Sequence, residues 1–409
     1  MKFKALFGLL AAGLMATSAA NATELEVTHW WTSGGEAAAV AEFAKAFDAS
    51  GDKWIDGAIA GSGGTARPIM ISRITGGDPM GATQFNHGNQ ALELVEAGLM
   101  LDLTDVAEAN NWKEIIFPKS LLDACTVDGR IYCAPVNIHS PEWLWISNKV
   151  YEDIGIPVPK NWNEFVASAP QVEAAGKIPL ALGNQPWQSN LAFGAITTAV
   201  AGLDIWKAVN VQKDMGVAAG PEMAAVFEAA ASARKLAAKS TVQDWNQATN
   251  LVITDQAAGQ IMGDWAQGEF QVAQEVAGKD YTCLPGLGLN AYLSTGGDAF
   301  YFPKLDDDEK EAAQKRLAAL LVSPEVQVAF NLKKGSLPIR GDVDLSAAND
   351  CMKKGLDLLA SGNILPSGDM VWSPDVMTQA ADLMVEFWKS DMPAGEAHKR
   401  WVAILETGL

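Results

Sequence analysis

Read for its apolar and polar spacing, the chain opens on a strand. Residues 25–30 alternate apolar and polar side chains, as a half-buried strand does. Turn residues 32–35 follow. From Glu36, the apolar positions Val40, Phe43, Ala44 and Phe47 fall on one helical face. A second strand is predicted over 54–60, then the glycine turn 61–64 and a helix through Ile69, Ile71 and Ile74. A further helix over 91–97 closes on Gly98. Strand, glycine turn, helix and strand in this order predict a wound α/β sheet.

The middle of the chain is helical. Pro221 starts a helix with Met223, Val226, Phe227 and Ala230 on its apolar face. Ser323-Pro324-Glu325 and Ser373-Pro374-Asp375 both read as a cap, a first helical residue and an acid favoured by the helix dipole. The second opens a long helix with Val376, Ala380, Leu383 and Phe387 on one face. Strand patterns recur over 131–134, 143–146, 281–284 and 299–302, so the late chain is expected to return to the first sheet. Repeated crossing between two lobes builds a hinge, and a hinge builds a cleft.

The first 22 residues add a compartment. Lys2 and Lys4, a short apolar run over 7–15 and the small-x-small site Ala20-Asn21-Ala22 read as an export signal cut after Ala22. No later apolar run approaches the length of a membrane span, so a soluble exported protein is expected. The 387 residues left (409 minus 22) suggest two lobes. The net charge of −19 becomes −21 without the two signal lysines, which argues against a nucleic-acid partner. The dense acidic run 306–309 reads as a solvated helix start.

Four cysteines, Cys125, Cys133, Cys283 and Cys351, in an exported chain suggest two disulfides. Cys125 and Cys133 flank the turn Asp128-Gly129, which leaves Cys283 with Cys351. Free thiols and a metal site are the alternatives, although no pair has CxxC spacing.

Fourteen tryptophans against five tyrosines change the picture further. Trp30 and Trp31 end the first strand, just before Glu36 and a helix start. Ligands of open α/β sheets sit outside the carboxyl ends of strands. An indole there offers a flat apolar face to a pyranose ring, and Glu36 can accept hydrogen bonds from its hydroxyls. Trp265 stands beside Asp264, Asp298 follows two glycines at a strand start, and Trp245 sits in polar company. These are the side chains of a sugar site. Core tryptophans and a helix-start glutamate are the plainer reading of the same residues.

Enzyme motifs are weak. The GxGxxA match over 61–66 lacks the acid a dinucleotide site needs and reads as an ordinary turn. No P-loop, HExxH or GxSxG occurs. His29 is expected in a strand, His139 in a loop it helps to hold, and His398 on an exposed charged helix. No cofactor and no metal are expected. A glycosidase would need two opposed carboxylates, drawn from Glu36, Asp264 and Asp298.

Four segments carry a resemblance. They are 29–36 (HWWTSGGE), 128–139 (DGRIYCAPVNIH) with Trp143-Leu144-Trp145, 262–266 (MGDWA), and 330–338 (FNLKKGSLP). In order and spacing the chain resembles the family 1 extracellular solute-binding proteins of ABC importers, in particular their glucose/mannose-binding branch. The resemblance implies a two-lobe periplasmic binding-protein fold with three hinge crossings, near Pro135, near 288–293 and near Leu337. It places 23–135 and 292–336 in an N-terminal lobe, and 136–291 and 337–409 in a C-terminal lobe. It implies a monosaccharide, glucose-like ligand, delivery to a membrane permease, a monomer, no enzymatic activity, and a Cys283–Cys351 disulfide.

By the same resemblance the ligand contacts fall on Trp30, Trp31, Glu36, Gln84, Asn86, His87, Trp245, Trp265, Asp298, Lys334 and Asp369. Two positions depart from the glucose branch. Asn86 stands where a basic residue is usual, and no histidine occurs in 366–370. A binding protein of this fold for a non-sugar solute is a further alternative.

Overall fold

The computed structural model describes residues 22–409, and the export signal read over 1–22 lies outside them but for its last residue. Two sheets organise the chain. The first has the strand order Lys53–Ala58, Glu24–His29, Ala82–Asn86, Asp298–Tyr301, Cys133–Pro135. Its first three strands run parallel, and Asp298–Tyr301 runs antiparallel to both neighbours. The second sheet has the order Tyr281–Pro285, Trp143–Ser147, Ala257–Met262, Ile178–Ala181. This is the two-lobe α/β architecture expected of the sequence.

Each sheet nucleates its own core. Val27, Phe43, Phe47, Phe85, Trp112, Phe300 and Phe330 pack together around the first. Leu144, Phe165, Phe193, Phe227, Met384, Phe387 and Trp401 pack around the second. The apolar faces read from helical spacing are the ones buried: Val40, Phe43 and Phe47 in helix Gly34–Ala49, and Val376, Ala380, Leu383 and Phe387 in helix Pro374–Lys389. Ser33 caps the first of these helices by accepting from the Glu36 amide, and Ser373 caps the second by accepting from that of Val376.

The chain passes between the sheets after Pro135 and again between Pro285 and Asp298. The last passage is less sharp than a single crossing at Leu337. Leu337, Ile339, Ala348 and Met352 pack with the first core, whereas Cys351 packs with the aromatic cluster behind the second sheet. Helix Asp350–Ala360 therefore sits at the junction of the lobes.

Both disulfides are present. Cys125 joins Cys133 within the first lobe, and Cys283 joins Cys351, tying strand Tyr281–Pro285 to the junction helix. His398 corrects an expectation: it is buried, stacks on Phe227 and bonds the Ala218 carbonyl through Nε2 at 2.7 Å. Its charged sequence neighbours hid a position on the inner face of helix Ala394–Glu406. No described helix is long and apolar enough to cross a membrane.

Candidate functional site between the lobes

Strand order decides which side chains meet at the cleft. His29 ends the first strand, so Trp30 and Trp31 leave the sheet at its carboxyl edge. The register pairs Asp298, the first residue of its antiparallel strand, with Asn86, the last residue of its neighbour. Trp30, Asn86 and Asp298 therefore come to one edge from three adjacent parts of the chain. In the second lobe, strand Ala257–Met262 ends just before Gly263-Asp264-Trp265. The Trp265 ring folds back so closely that a side chain on Gly263 would lie 2.1 Å from it, which only glycine tolerates.

Between these edges lies a cavity of 560 Å³, within the ~300–1,000 Å³ usual for small-ligand pockets. The first lobe lines it with Trp30, Trp31, Glu36, Arg67, Asn86, Asp298 and Lys334. The second contributes His139, Trp187, Asn190, Trp245, Trp265 and Asp382. The lobes touch on its flanks. The Ser62 hydroxyl donates to Gln185 Oε1 at 3.4 Å, and Asn89 Nδ2 donates to the Trp372 carbonyl at 3.2 Å. The Gly35 amide donates to Glu269 Oε1 at 2.7 Å, placing a carboxylate at a helix start. That approach is close: a Cβ on Gly35 would stand 2.5 Å from the Gly268 backbone.

The polar groups of the cavity hold one another in place. Lys334 Nζ donates to Glu36 Oε1 at 2.8 Å, and the Ser33 hydroxyl meets Glu36 Oε2 at 3.3 Å. Burial pushes the Glu36 carboxyl up, and the Lys334 ammonium only partly offsets it. Asp298 accepts from Gln84 Nε2 at 2.7 Å and from Asn137 Nδ2 at 2.9 Å, with His139 Nδ1 at 3.3 Å. Burial would raise the Asp298 carboxyl. The charge and hydrogen bond of His139, with Lys334 and Asn137, outweigh it and hold the group well below the carboxylate range. Burial likewise opposes charge on His139, but Asp298 overcomes it and raises the imidazole. The result is a fixed anion beside a favoured cation.

The residues read from the sequence are not all equivalent here. Trp30, Asn86, Trp265, Asp298, Lys334 and Glu36 border the cavity. Trp31 borders it too, but is only 1% exposed, its ring packed among Phe43, Phe300 and Phe330. Trp245 borders the cavity while 5% exposed, as part of the aromatic cluster behind the second sheet. Gln84 lies behind the wall: its Oε1 accepts from the Trp30 amide at 3.0 Å while its Nε2 holds Asp298. It positions two lining residues at once. His87 is buried without a hydrogen-bond partner for either ring nitrogen, and desolvation lowers it to about 4. Asp369 falls in the short helix Gly368–Val371, and its side chain lies outside the described residues.

Asp264 stands apart. Its Oδ2 accepts from the Ser140 amide at 3.0 Å and hydroxyl at 3.2 Å, and it faces a separate small void with Gln267 and Gly335. Residues unforeseen in the cavity wall include Ser62, Arg67, Trp187, Asn190 and Asp382. The signal for Ser62 was the glycine turn at 61–64, a second strand-to-helix turn at the same sheet edge. Among the described residues, no group of three or more His, Cys, Asp or Glu side chains is placed to hold a metal.

Comparison with known proteins matches residues 30–328 to the bacterial extracellular solute-binding protein model. The chain belongs to that family. It is 35% identical over 364 residues to a probable sugar-binding periplasmic protein of Rhizobium meliloti, covering 88% of this chain and 87% of that protein. A probable sugar-binding periplasmic protein of Brucella melitensis is 36% identical, covering 86% of this chain and 84% of the relative. Among solved structures, a chitin oligosaccharide binding protein superposes with a TM-score of 0.76 at 18% identity, over 94% of this chain and 98% of the other. The solute receptor AcbH, described as preferring β-D-galactopyranose, superposes with a TM-score of 0.75 at 18% identity, over the same shares. These superpositions show the two-lobe fold of this family member.

Proposed function

We propose that this solute-binding protein captures a monosaccharide, a glucose-like hexose, in the interlobe cavity and delivers it in the periplasm to the permease of an ABC importer. The observation that carries this reading is the pairing of flat indoles with pre-held charges across two lobes. Trp30 and Trp265 offer ring faces, while Asp298, Glu36 and Lys334 offer acceptors and a donor for hydroxyls. Charged partners strengthen such bonds, and exclusion of water strengthens them again. A ligand touching both lobes favours the closed arrangement because only there does it meet both walls. The sugar-binding names of the relatives point the same way.

Binding without turnover is favoured over glycoside hydrolysis. Glu36 is tied to Lys334, Asp298 to Gln84 and Asn137, and Asp264 faces away into its own void. A hydrolase needs two opposed carboxyl groups free to exchange protons at the scissile bond.

Thermal unfolding of the mature protein with a panel of monosaccharides, peptides and metal ions tests the reading. A ligand at a hundred times its Kd adds about 2.7 kcal/mol. One hexose should raise Tm by several degrees, with no rise from peptides or metals. A rise with a peptide or metal and none with any sugar overturns it.

A further inference from the structure

A second cavity, of 250 Å³, opens between the helices of the second lobe and the linking segment at Tyr292 and Ser294. It shares Trp187, Asn190 and Met377 with the wall of the interlobe cavity, so the two spaces are neighbours across three side chains. Their chemistry differs. The interlobe cavity is bordered by Glu36, Arg67, Asp298, Lys334 and Asp382. Among the described residues lining the second, none is charged: Trp206, Tyr292, Trp372 and Trp401 present rings, and the polar positions are the uncharged Asn190, Thr197, Asn210, Ser294 and Ser367. The polar ends of two of these rings are engaged: Trp372 Nε1 donates to Asn210 Oδ1 at 2.9 Å, and the Tyr292 oxygen accepts from Thr198 at 3.3 Å. At 250 Å³ the space is smaller than the ~300–1,000 Å³ of a pocket for a whole ligand. It suits part of a ligand anchored next door.

Gly194 is the second observation. It lies inside the sixteen-residue helix Pro186–Ala201, where glycine weakens the helix relative to alanine. Its backbone is not in the left-handed region, and a Cβ placed there meets no atom within 4 Å. Neither conformation nor packing calls for glycine at this position. Gly194 does line the second cavity, and the missing side chain keeps that space open.

We infer that the second cavity receives a neutral, apolar substituent on the bound sugar, so that the ligand is a hexoside with an aryl or alkyl group rather than the free hexose alone. This rests on the sugar-binding reading and deepens it. Met377, unbranched and flexible, stands between the two spaces and can move aside for a linking atom.

The test is calorimetric titration of the mature protein with glucose, galactose, mannose and xylose, their p-nitrophenyl α- and β-glycosides, and common disaccharides. At least one aryl glycoside should bind tenfold or more tightly than its free sugar. Gly194→Leu, which fills the second cavity, should abolish that gain and bind the free sugar as the wild type does. Gly194→Ala, which adds only a methyl group, should keep most of the gain and be more stable. Aryl glycosides no tighter than free sugars overturn the inference and leave the sugar-binding reading standing, as does a gain unchanged in Gly194→Leu. Disaccharides gaining as much as aryl glycosides overturn the apolar character assigned to the cavity. Should Gly194→Leu fail to fold, the wild-type comparison alone decides. Absence of binding by every sugar and glycoside overturns both readings together.

Discussion

Lys334 and Glu36, 298 positions apart in sequence, form a buried ion pair at 2.8 Å in the wall of the interlobe cavity. The pair joins the end of helix Pro324–Lys334 to the first turn of helix Gly34–Ala49, and both residues are almost fully buried. A lysine at a helix C-terminus is ordinarily a surface cation favoured by the dipole. Here it faces inward, where its ammonium partly offsets the upward push of burial on the Glu36 carboxyl.

Removing one partner of a buried pair leaves the other uncompensated. Lys334→Met should lower stability by about 3 kcal/mol and weaken sugar binding, because the Glu36 carboxyl loses the ammonium that opposes the effect of burial. Chemical denaturation and calorimetry of the variant check both effects. Unchanged stability would contradict a stabilising role for this pair.

The tandem tryptophans should separate under mutation. Trp30 is partly exposed beside the cavity, whereas Trp31 is locked among three phenylalanines. Trp31→Ala should cost about 3–5 kcal/mol of stability, as large-to-small core changes do. Trp30→Ala should cost far less stability and most of the affinity. Equal melting temperatures for the two variants would contradict the assignment.

Asp264 predicts a pH dependence. Burial raises its carboxyl to about 7, against about 4 in an unfolded chain. Between those values the folded state holds the extra proton, so this group's stabilising contribution is complete below about pH 4 and is lost as pH rises to about 7. The loss is on the order of 4 kcal/mol if no other group compensates. Asp264→Asn keeps an acceptor for Ser140 and has no proton to lose. Its gain in Tm over the wild type should be larger at pH 8 than at pH 4. A gain independent of pH would remove Asp264 from this role.

The Cys283–Cys351 bond closes a separation of 68 residues between the second sheet and the junction helix. Replacing both cysteines by serine should cost about 2–4 kcal/mol, chiefly through a freer unfolded chain. Unfolding in denaturant measures it, and a loss below half a kilocalorie would contradict it.

Much of this architecture is legible in the residues. The first strand alternates, its helix repeats every three to four positions, and the rule for strand carboxyl ends points to Trp30 and Glu36. Other parts carry no periodic signal. Strand Ala257–Met262 is buried at all six positions, so polar alternation is missing. Helix Pro186–Ala201, which brings Trp187 and Asn190 to the cavity, is apolar or small around most of its circumference and shows no distinct face. The role of Gln84 depends on the register that sets Asn86 against Asp298, a long-range pairing that local pattern does not encode. Trp31 and Trp30 look alike in sequence, and only the opposite directions of adjacent side chains separate the core ring from the partly exposed one.

Titration calorimetry of the most stabilising monosaccharide into wild type and into Trp30→Ala tests whether a sugar is held against Trp30 in the interlobe cavity. One saturable site per wild-type chain is expected, with at least tenfold weaker binding in a variant that remains folded. No heat from any monosaccharide with the wild type, or equal affinity in both proteins, would contradict it.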